Sequence, residues 1–120
     1  MTGDRPPGDL DYCYLTTTGR HSGQPHRIEI WFALADGVAY VLSGGGDRSD
    51  WVRNLTISPD VTLEIGGQKR TTRARVVTDP VEDALARRIV VEKYRPRYRG
   101  DLDDWGKTSL PVAIDWSTTQ

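Results

Sequence analysis

The chain has 120 residues, a formal charge of −1 and one cysteine, Cys13. This length is enough for one domain with a single core, but too short for separate cofactor and substrate domains. The near-neutral charge gives no general attraction to nucleic acid, and a lone cysteine excludes internal disulfides and cysteine-rich metal sites. Because we find no signal peptide and no apolar run of transmembrane length, we expect a cytoplasmic protein, with peripheral membrane association left open.

Residues 1–10 are polar and turn-forming, and they predict a loose lead-in to a single domain over residues 11–120. Six segments have the aromatic, β-branched or alternating composition of strands: 12–18, 27–35, 38–43, 60–65, 68–78 and 110–116. Alternation is clearest in the second segment, where one face is formed by Ile28, Ile30, Phe32 and Leu34. Tight turns at Asp36-Gly37 and Gly66-Gly67 predict hairpins and therefore antiparallel pairing.

Two segments have helical character, a short one from about residue 50 to 56 and a longer one over 79–96. Asp79 and Pro80 suit the N-cap and the first helical position of the longer helix. Its predicted buried stripe consists of Val81, Ala84, Leu85, Arg88 (through its stem) and Ile89. About six strands joined mainly by tight turns predict a mainly β (α+β) fold, a small antiparallel barrel with one short and one longer helix.

Several chemistries lack their sequence patterns. His21 and His26 are five residues apart in a loop, with no cysteine or carboxylate at ligand spacing, so no metal site is predicted. No serine lies in a nucleophile elbow, and "SGGGDRS" lacks the lysine of a phosphate-binding P-loop. Two stretches retain the donors for an anion: the loop 19–26, and the glycine run and helix start within 43–54. Each also has a simpler interpretation, as a solvated turn or a flexible hairpin exit.

The stretches "LTTTGRHSGQPH" and "YVLSGGGDRSDWVRNLTISPDVTLEIGG", followed by a helix after "ARVV", together resemble the deazaflavin-dependent nitroreductase and F420H2-dependent quinone reductase family. The patterns T-T-G-R-x-S-G-x-P and W-x-x-N-L-x-x-x-P-x-V carry this resemblance. It implies a split β-barrel of the flavin-reductase-like superfamily. It also implies coenzyme F420 as cofactor, and hydride transfer to a small conjugated electrophile such as a quinone, an enone or a nitro compound.

The resemblance also implies which residues bind F420. One group is expected at the phosphate and the start of the polyglutamate tail: Arg20, His21, Ser22, Gly23, Gln24 and His26. A second group is expected beside the deazaflavin ring: Ser43, Gly44, Gly45, Trp51 and Asn54. Two features depart from relatives: His26 replaces a common arginine, and Gly44 replaces a lysine that some of them carry.

No catalytic side chain is assigned with certainty, because the cofactor performs the difficult step. Tyr94 and Tyr98 are candidate substrate-side residues, with simple packing as the alternative interpretation. Two other functions stay open, an FMN-dependent reductase of the same barrel class and a non-catalytic carrier of a cofactor or fatty acid. The expected partner is a small-molecule substrate, with no nucleic acid, and a homodimer is left open.

Overall fold

The computed structural model describes residues 6–117. Seven strands form one sheet: β1 (Cys13–Thr18), β2 (Pro25–Ile30), β3 (Ala33–Ala35), β4 (Val38–Ser43), β5 (Asp60–Ile65), β6 (Gln68–Val76) and β7 (Leu110–Asp115). Three α-helices accompany them: α1 (Asp50–Ile57), α2 (Pro80–Tyr94) and α3 (Asp103–Thr108). Short 3-10 turns occupy Pro7–Asp9, Gly46–Arg48 and Arg95–Arg97.

Every neighbouring pair of strands in the sheet is antiparallel, in the order β2-β1-β5-β6-β7-β4-β3. The two end strands, β2 and β3, are joined by only two residues, Trp31 and Phe32. Three peptide steps span no more than about 11 Å, so the two edges of the sheet must approach each other. The sheet therefore curls into a barrel, which confirms the predicted mainly β fold.

The predicted strand over 27–35 is in fact two strands, which accounts for the seventh. Ile30 pairs with Cys13 in β1, whereas Ala33 pairs with Tyr40 in β4, so the chain changes partner at a corner. The predicted alternation of side chains continues through the corner. One core is contacted by Ile28, Ile30, Phe32 and Leu34, and the other by Trp31 and Ala33. Composition alone does not reveal the change, because the side chains keep alternating through it.

Two cores lie on opposite faces of the sheet. The first fills the barrel and contains the buried Cys13 together with Leu15, Phe32 and Leu63. Burial raises the pKa of the Cys13 thiol to about 12, so the thiol is protonated at neutral pH. The second core lies between the outer side of β3, β4 and β7 and the helices α2 and α3. The longer helix thus covers one face of the barrel wall.

The start of α2 is confirmed, but its predicted buried face is wrong. Asp79 is the N-cap and accepts a hydrogen bond from the backbone N–H of Glu82 at 2.9 Å, with Pro80 at the first position. The buried residues are Ala86, Val90, Val91 and Tyr94. Val81 is 78% exposed, and Leu85 and Ile89 are only partly buried. Both faces of this helix carry apolar residues, so the sequence pattern does not indicate which face is buried.

The described part of the predicted lead-in, residues 6–10, is hydrogen-bonded to the rest of the chain. Arg97 donates to the backbone carbonyl of Asp9 at 3.0 Å, and Lys93 donates to the backbone carbonyl of Leu10 at 2.6 Å. Leu10 also packs against the first core. Residues 1–5 of the predicted lead-in lie outside the described residues. The C-terminal end of α2 therefore holds the segment that precedes β1.

Glu82 fixes the N-terminal end of α2 to the sheet and makes stability depend on pH. Arg75 donates to both its carboxylate oxygens at 2.8 and 2.7 Å, and the Tyr40 hydroxyl donates at 2.7 Å. These hydrogen bonds, from Arg75 first and Tyr40 second, lower the pKa of Glu82 from 4.5 to about 2. A carboxyl whose pKa is lower in the folded state stabilises above its unfolded pKa. That contribution is lost as the pH falls from 4.5 towards 2.

We therefore expect Glu82→Gln to lower the free energy of unfolding by about 1 to 2 kcal/mol at pH 7, a value reduced for solvent screening of the ion pair. In urea titrations, the difference from wild type should fall to less than half at pH 3. Glu92→Gln is the matched control, because its pair with Arg88 is exposed at both ends. A difference for Glu82→Gln that is the same at both pH values would contradict the ion-pair explanation.

Candidate functional site

The loop between β1 and β2 is closed by its own backbone. The N–H of Gly19 donates to the carbonyl of Gln24, and the N–H of Gly23 donates to the carbonyl of Gly19, both at 2.8 Å. Gly23 has a φ of 72°, a conformation that favours glycine. The Ser22 hydroxyl accepts the N–H of Gln24 at 3.1 Å. Part of the polar composition of the loop therefore holds the turn itself.

Two side chains of this hairpin converge above Gly19. A Cβ added to Gly19 would lie 2.6 Å from His26 Nε2 and 2.7 Å from Ser22 Oγ. The absence of a side chain lets the imidazole and the hydroxyl occupy this space together. His26 belongs to β2, where it pairs with Thr17, so the strand register fixes the position of its backbone. An imidazole and a hydroxyl side by side are a suitable donor pair for an oxyanion.

The helix α1 faces the loop with its N-terminal end. Within residues 6–117, no side chain caps this end: Ser49 is the N-cap residue, but its hydroxyl lies 2.8 Å from that of Ser43. The Asp50 carboxylate accepts from Arg20 Nη2 at 3.0 Å. A helix N-terminus with free N–H groups carries a partial positive charge that favours anions.

Arg20 and Asn54 join the loop to α1. The backbone N–H of Arg20 donates to Asn54 Oδ1 at 3.1 Å, and Nη1 donates to the same oxygen at 2.9 Å. Asn54 Nδ2 donates to Thr17 Oγ1 at 3.2 Å. Asn54 is 4% exposed, so its amide is satisfied inside the protein. The side chain of Arg20 is 15% exposed and lies between the loop and the helix.

Loop and helix together enclose a cleft of about 470 Å³. Its lining is formed by Gly19, Arg20, His21, Ser22, His26, Arg27, Ile28, Asp50, Trp51 and Asn54. Two imidazoles, two guanidinium groups and one carboxylate contribute the titratable groups. Because the single carboxylate, Asp50, is paired with Arg20, the cleft favours a negatively charged ligand.

The structure brings most of the predicted cofactor residues together, but not all. Gly23 and Gln24 belong to the loop yet do not line the cleft. Ser43, Gly44 and Gly45 lie before the first turn of α1 and do not line it either. The Ser43 hydroxyl donates to the carbonyl of Gly46 at 2.9 Å. A Cβ on Gly45 would lie 2.5 Å from Ser49 Oγ, so this glycine is required by the fold of its own loop.

The sequence did not single out Asp50, Arg27 and Ile28 as cleft residues. Arg27 and Ile28 follow His26 on β2, so membership of the loop could have suggested them. The position of Asp50 in the cleft depends on its pairing with Arg20, and therefore on how α1 approaches the loop. No local sequence signal predicts that approach.

Tyr94 and Tyr98 belong to an aromatic cluster on the helical side of the barrel. Trp31 stacks on Tyr94 with ring centroids 4.1 Å apart, and the rings of Tyr98 and Trp105 meet Trp31 edge-on at 5.6 and 5.7 Å. A Cβ on Gly44 would lie 3.4 Å from Trp105 Nε1, so the glycine loop borders this cluster. The sequence did not indicate this position of Trp105.

The two tyrosines have different environments. The buried Tyr94 hydroxyl accepts the N–H of Phe32 at 3.0 Å and donates to the carbonyl of Asp11 at 2.6 Å. Burial raises its pKa to about 12. These backbone partners give Tyr94 a packing role, the alternative interpretation of this residue. Tyr98 is 49% exposed, and its substrate-side role stays a prediction.

Two kinds of feature are absent from the described residues. Residues 6–117 contain no group of three or more histidine, cysteine, aspartate or glutamate side chains arranged to hold a metal ion. None of the helices in this part of the chain has the length and apolar character needed to cross a bilayer.

Comparison with known proteins gives a consistent result. The family model described as F420H(2)-dependent quinone reductase matches residues 2–116. The F420H(2)-dependent quinone reductase Rv1261c of Mycobacterium tuberculosis is 33% identical over 118 aligned positions, which cover 93% of this chain and 76% of the relative.

Two solved structures share the fold at lower identity. One is described as an F420-H2 dependent reductase (FDR-A), with a TM-score of 0.68, 23% identity and coverage of 88% of this chain and 93% of that one. The other is described as a domain-swapped dimer, with a TM-score of 0.70, 22% identity and coverage of 89% and 81%. Since the family model spans nearly the whole sequence, the chain belongs to the F420H2-dependent quinone reductase family.

Proposed function

We propose that this protein is an F420H2-dependent oxidoreductase that transfers a hydride from the reduced cofactor to a quinone. The cleft between the β1–β2 loop and α1 holds the phosphate and the start of the cofactor's tail. The main support is the convergence of Ser22 and His26 above Gly19, beside the uncapped end of α1. Membership of the family supports the identity of the cofactor and the substrate class.

The donor set of the cleft suits the anionic part of F420. The Ser22 hydroxyl, the imidazoles of His21 and His26, and the N–H groups at the start of α1 all favour negative charge. Arg27 adds a guanidinium that is half exposed and pairs with Glu64 at 3.3 Å.

When bound, F420H2 supplies a hydride from its deazaflavin ring, a reaction that needs no protein nucleophile or metal. The task of the protein is to orient cofactor and substrate and to keep water away from the transfer path. Trp51 contributes to this task, because it lines the cleft and also packs against the barrel core. Its position is therefore fixed by the fold before a ligand binds.

We assign contact with the deazaflavin ring of the cofactor to the loop that follows β4. Ser43, Gly44 and Gly45 lead into the turn before α1, and the two glycines are exposed, so their backbone is accessible to a ligand. Gly44 borders Trp105, so the aromatic cluster lies next to this loop. We assign Tyr98, the exposed member of that cluster, to the substrate side, where its hydroxyl can donate a hydrogen bond without becoming charged.

Turnover with a model quinone tests this function. Purified protein is mixed with F420H2 and menadione, and the return of the deazaflavin absorbance is followed. We expect oxidation that depends on both enzyme and quinone, and no comparable turnover with reduced FMN. Turnover with FMN alone would favour the flavin-dependent alternative, whereas binding of F420 without turnover would favour a carrier. Light scattering on the purified protein checks whether it forms a homodimer, which the sequence leaves open.

A further inference from the structure

Asn54 is the centre of a buried hydrogen-bond network. Its Oδ1 accepts both the backbone N–H and Nη1 of Arg20, and its Nδ2 donates to Thr17 Oγ1. Thr17 is 1% exposed at the end of β1, and Asn54 lies on the second turn of α1. One amide side chain therefore connects three segments: the end of a strand, the start of the loop and the helix.

The guanidinium group of Arg20 is directed at the helix. Nη1 donates to Asn54 Oδ1 and to the backbone carbonyl of Asp50 at 3.3 Å, and Nη2 donates to the Asp50 carboxylate at 3.0 Å. These contacts use both hydrogens of Nη1 within the protein. Turning the guanidinium towards a ligand would break these hydrogen bonds and the ion pair with Asp50, which is costly.

We propose that Arg20 and Asn54 are positioning residues, which lock the β1–β2 loop against α1, while Ser22 and His26 make the direct contacts with the anionic part of the cofactor. This proposal rests on the proposed function, since it assigns roles within the same cleft. Arg20 acts in a second way as well: its pairing with Asp50 neutralises the one carboxylate that lines the cleft. An unpaired Asp50 at the start of α1 would repel an anion there.

Hydrogen exchange without cofactor tests whether Asn54 holds the β1–β2 loop against α1. The amide of Arg20 is protected by Asn54, so Asn54→Ala should speed its exchange at least about tenfold, together with the amide of Gly23. Asn54→Asp keeps the acceptor oxygen and should restore exchange to within about threefold of wild type. Arg53→Ala is the matched control on the same helix, because Arg53 contacts only the carbonyl of Asp47 among the described residues.

Equilibrium binding of F420 separates positioning from direct contact. Arg20→Ala and Asn54→Ala should each weaken binding about 10- to 100-fold. The double variant should bind no more than about threefold more weakly than the single variant with the lower affinity. Arg20→Lys keeps a positive charge beside Asp50 but cannot make the paired hydrogen bonds of the guanidinium, so it should bind more weakly than wild type but no more weakly than Arg20→Ala.

Three results would overturn the proposal. The first is a double variant whose loss equals the product of the two single losses. The second is normal binding by Arg20→Lys, which would indicate a simple charge contact with the cofactor. The third is unchanged amide exchange in Asn54→Ala. Amide exchange is measured without cofactor, so its outcome does not depend on whether the wild type binds F420. The experiment can therefore show that Asn54 does not hold the loop against α1, separately from showing that the proposed function is wrong.

Discussion

Gly19→Ala should weaken F420 binding about 10- to 100-fold while the folded state is largely retained. The new methyl group would lie 2.6 Å from His26 Nε2 and 2.7 Å from Ser22 Oγ, distances that no Cβ tolerates. The imidazole and the hydroxyl must therefore move apart. Since a tenfold loss corresponds to about 1.4 kcal/mol, losing one or two charge-assisted hydrogen bonds accounts for this range.

The small effect on folding follows from where the displaced atoms lie. They are the ends of two exposed side chains, so they can move into solvent without disturbing a core. Gly8→Ala is the matched control, since its Cβ would lie at an ordinary contact distance of 3.7 Å from Leu34 Cβ. Titration of F420 and thermal unfolding of both variants give the comparison. Unchanged affinity in Gly19→Ala would remove Ser22 and His26 from the site.

Phe32→Ala should lower the free energy of unfolding by about 4 kcal/mol, the largest stability effect we expect. Phe32 is fully buried in the barrel core, and truncating its ring leaves a cavity there. It also stands at the corner where the chain crosses from β2 to β3. The corner backbone is held by side chains: Tyr94 accepts its N–H at 3.0 Å, and Lys93 donates to its carbonyl at 2.7 Å.

Urea unfolding measures this loss. Tyr12→Ala is the matched control, because it removes an aromatic ring that is 46% exposed and should change stability by less than about 1 kcal/mol. If Phe32→Ala does not fold, Phe32→Leu should still show a loss of about 1 to 1.5 kcal/mol. A loss for Phe32→Ala below about 1 kcal/mol would contradict the assignment of this residue to the closure of the barrel.

Alternation and turn signals predicted the fold class because they reflect local geometry. The period of two in 27–35 identifies which side chains face the barrel core, and the structure agrees for Ile28 to Leu34. The corner at Trp31 and Phe32 was missed, since its backbone groups are satisfied by Lys93 and Tyr94, about sixty residues away in the sequence. The buried face of α2 was missed because both faces carry apolar residues.

The sequence likewise predicted some features of the candidate site and missed others. The loop motif and the W-x-x-N pattern indicated the two segments that line one cleft. The orientation of Arg20 was not predictable, because its guanidinium could equally face a ligand or the helix, and only the approach of Asn54 and Asp50 decides between them. The position of Trp105 beside Gly44 likewise depends on how α3 packs, which no local pattern specifies.

The central claim is that an anionic part of F420 binds between Ser22, His26 and the start of α1. Titration of F420 into wild type and into a Ser22→Ala, His26→Ala double variant tests it most directly. We expect wild type to bind with a Kd in the range of tens of micromolar or tighter, and the double variant to bind at least about 30-fold more weakly. Equal affinity of the two proteins, or no binding by wild type at about 100 µM F420, would contradict it.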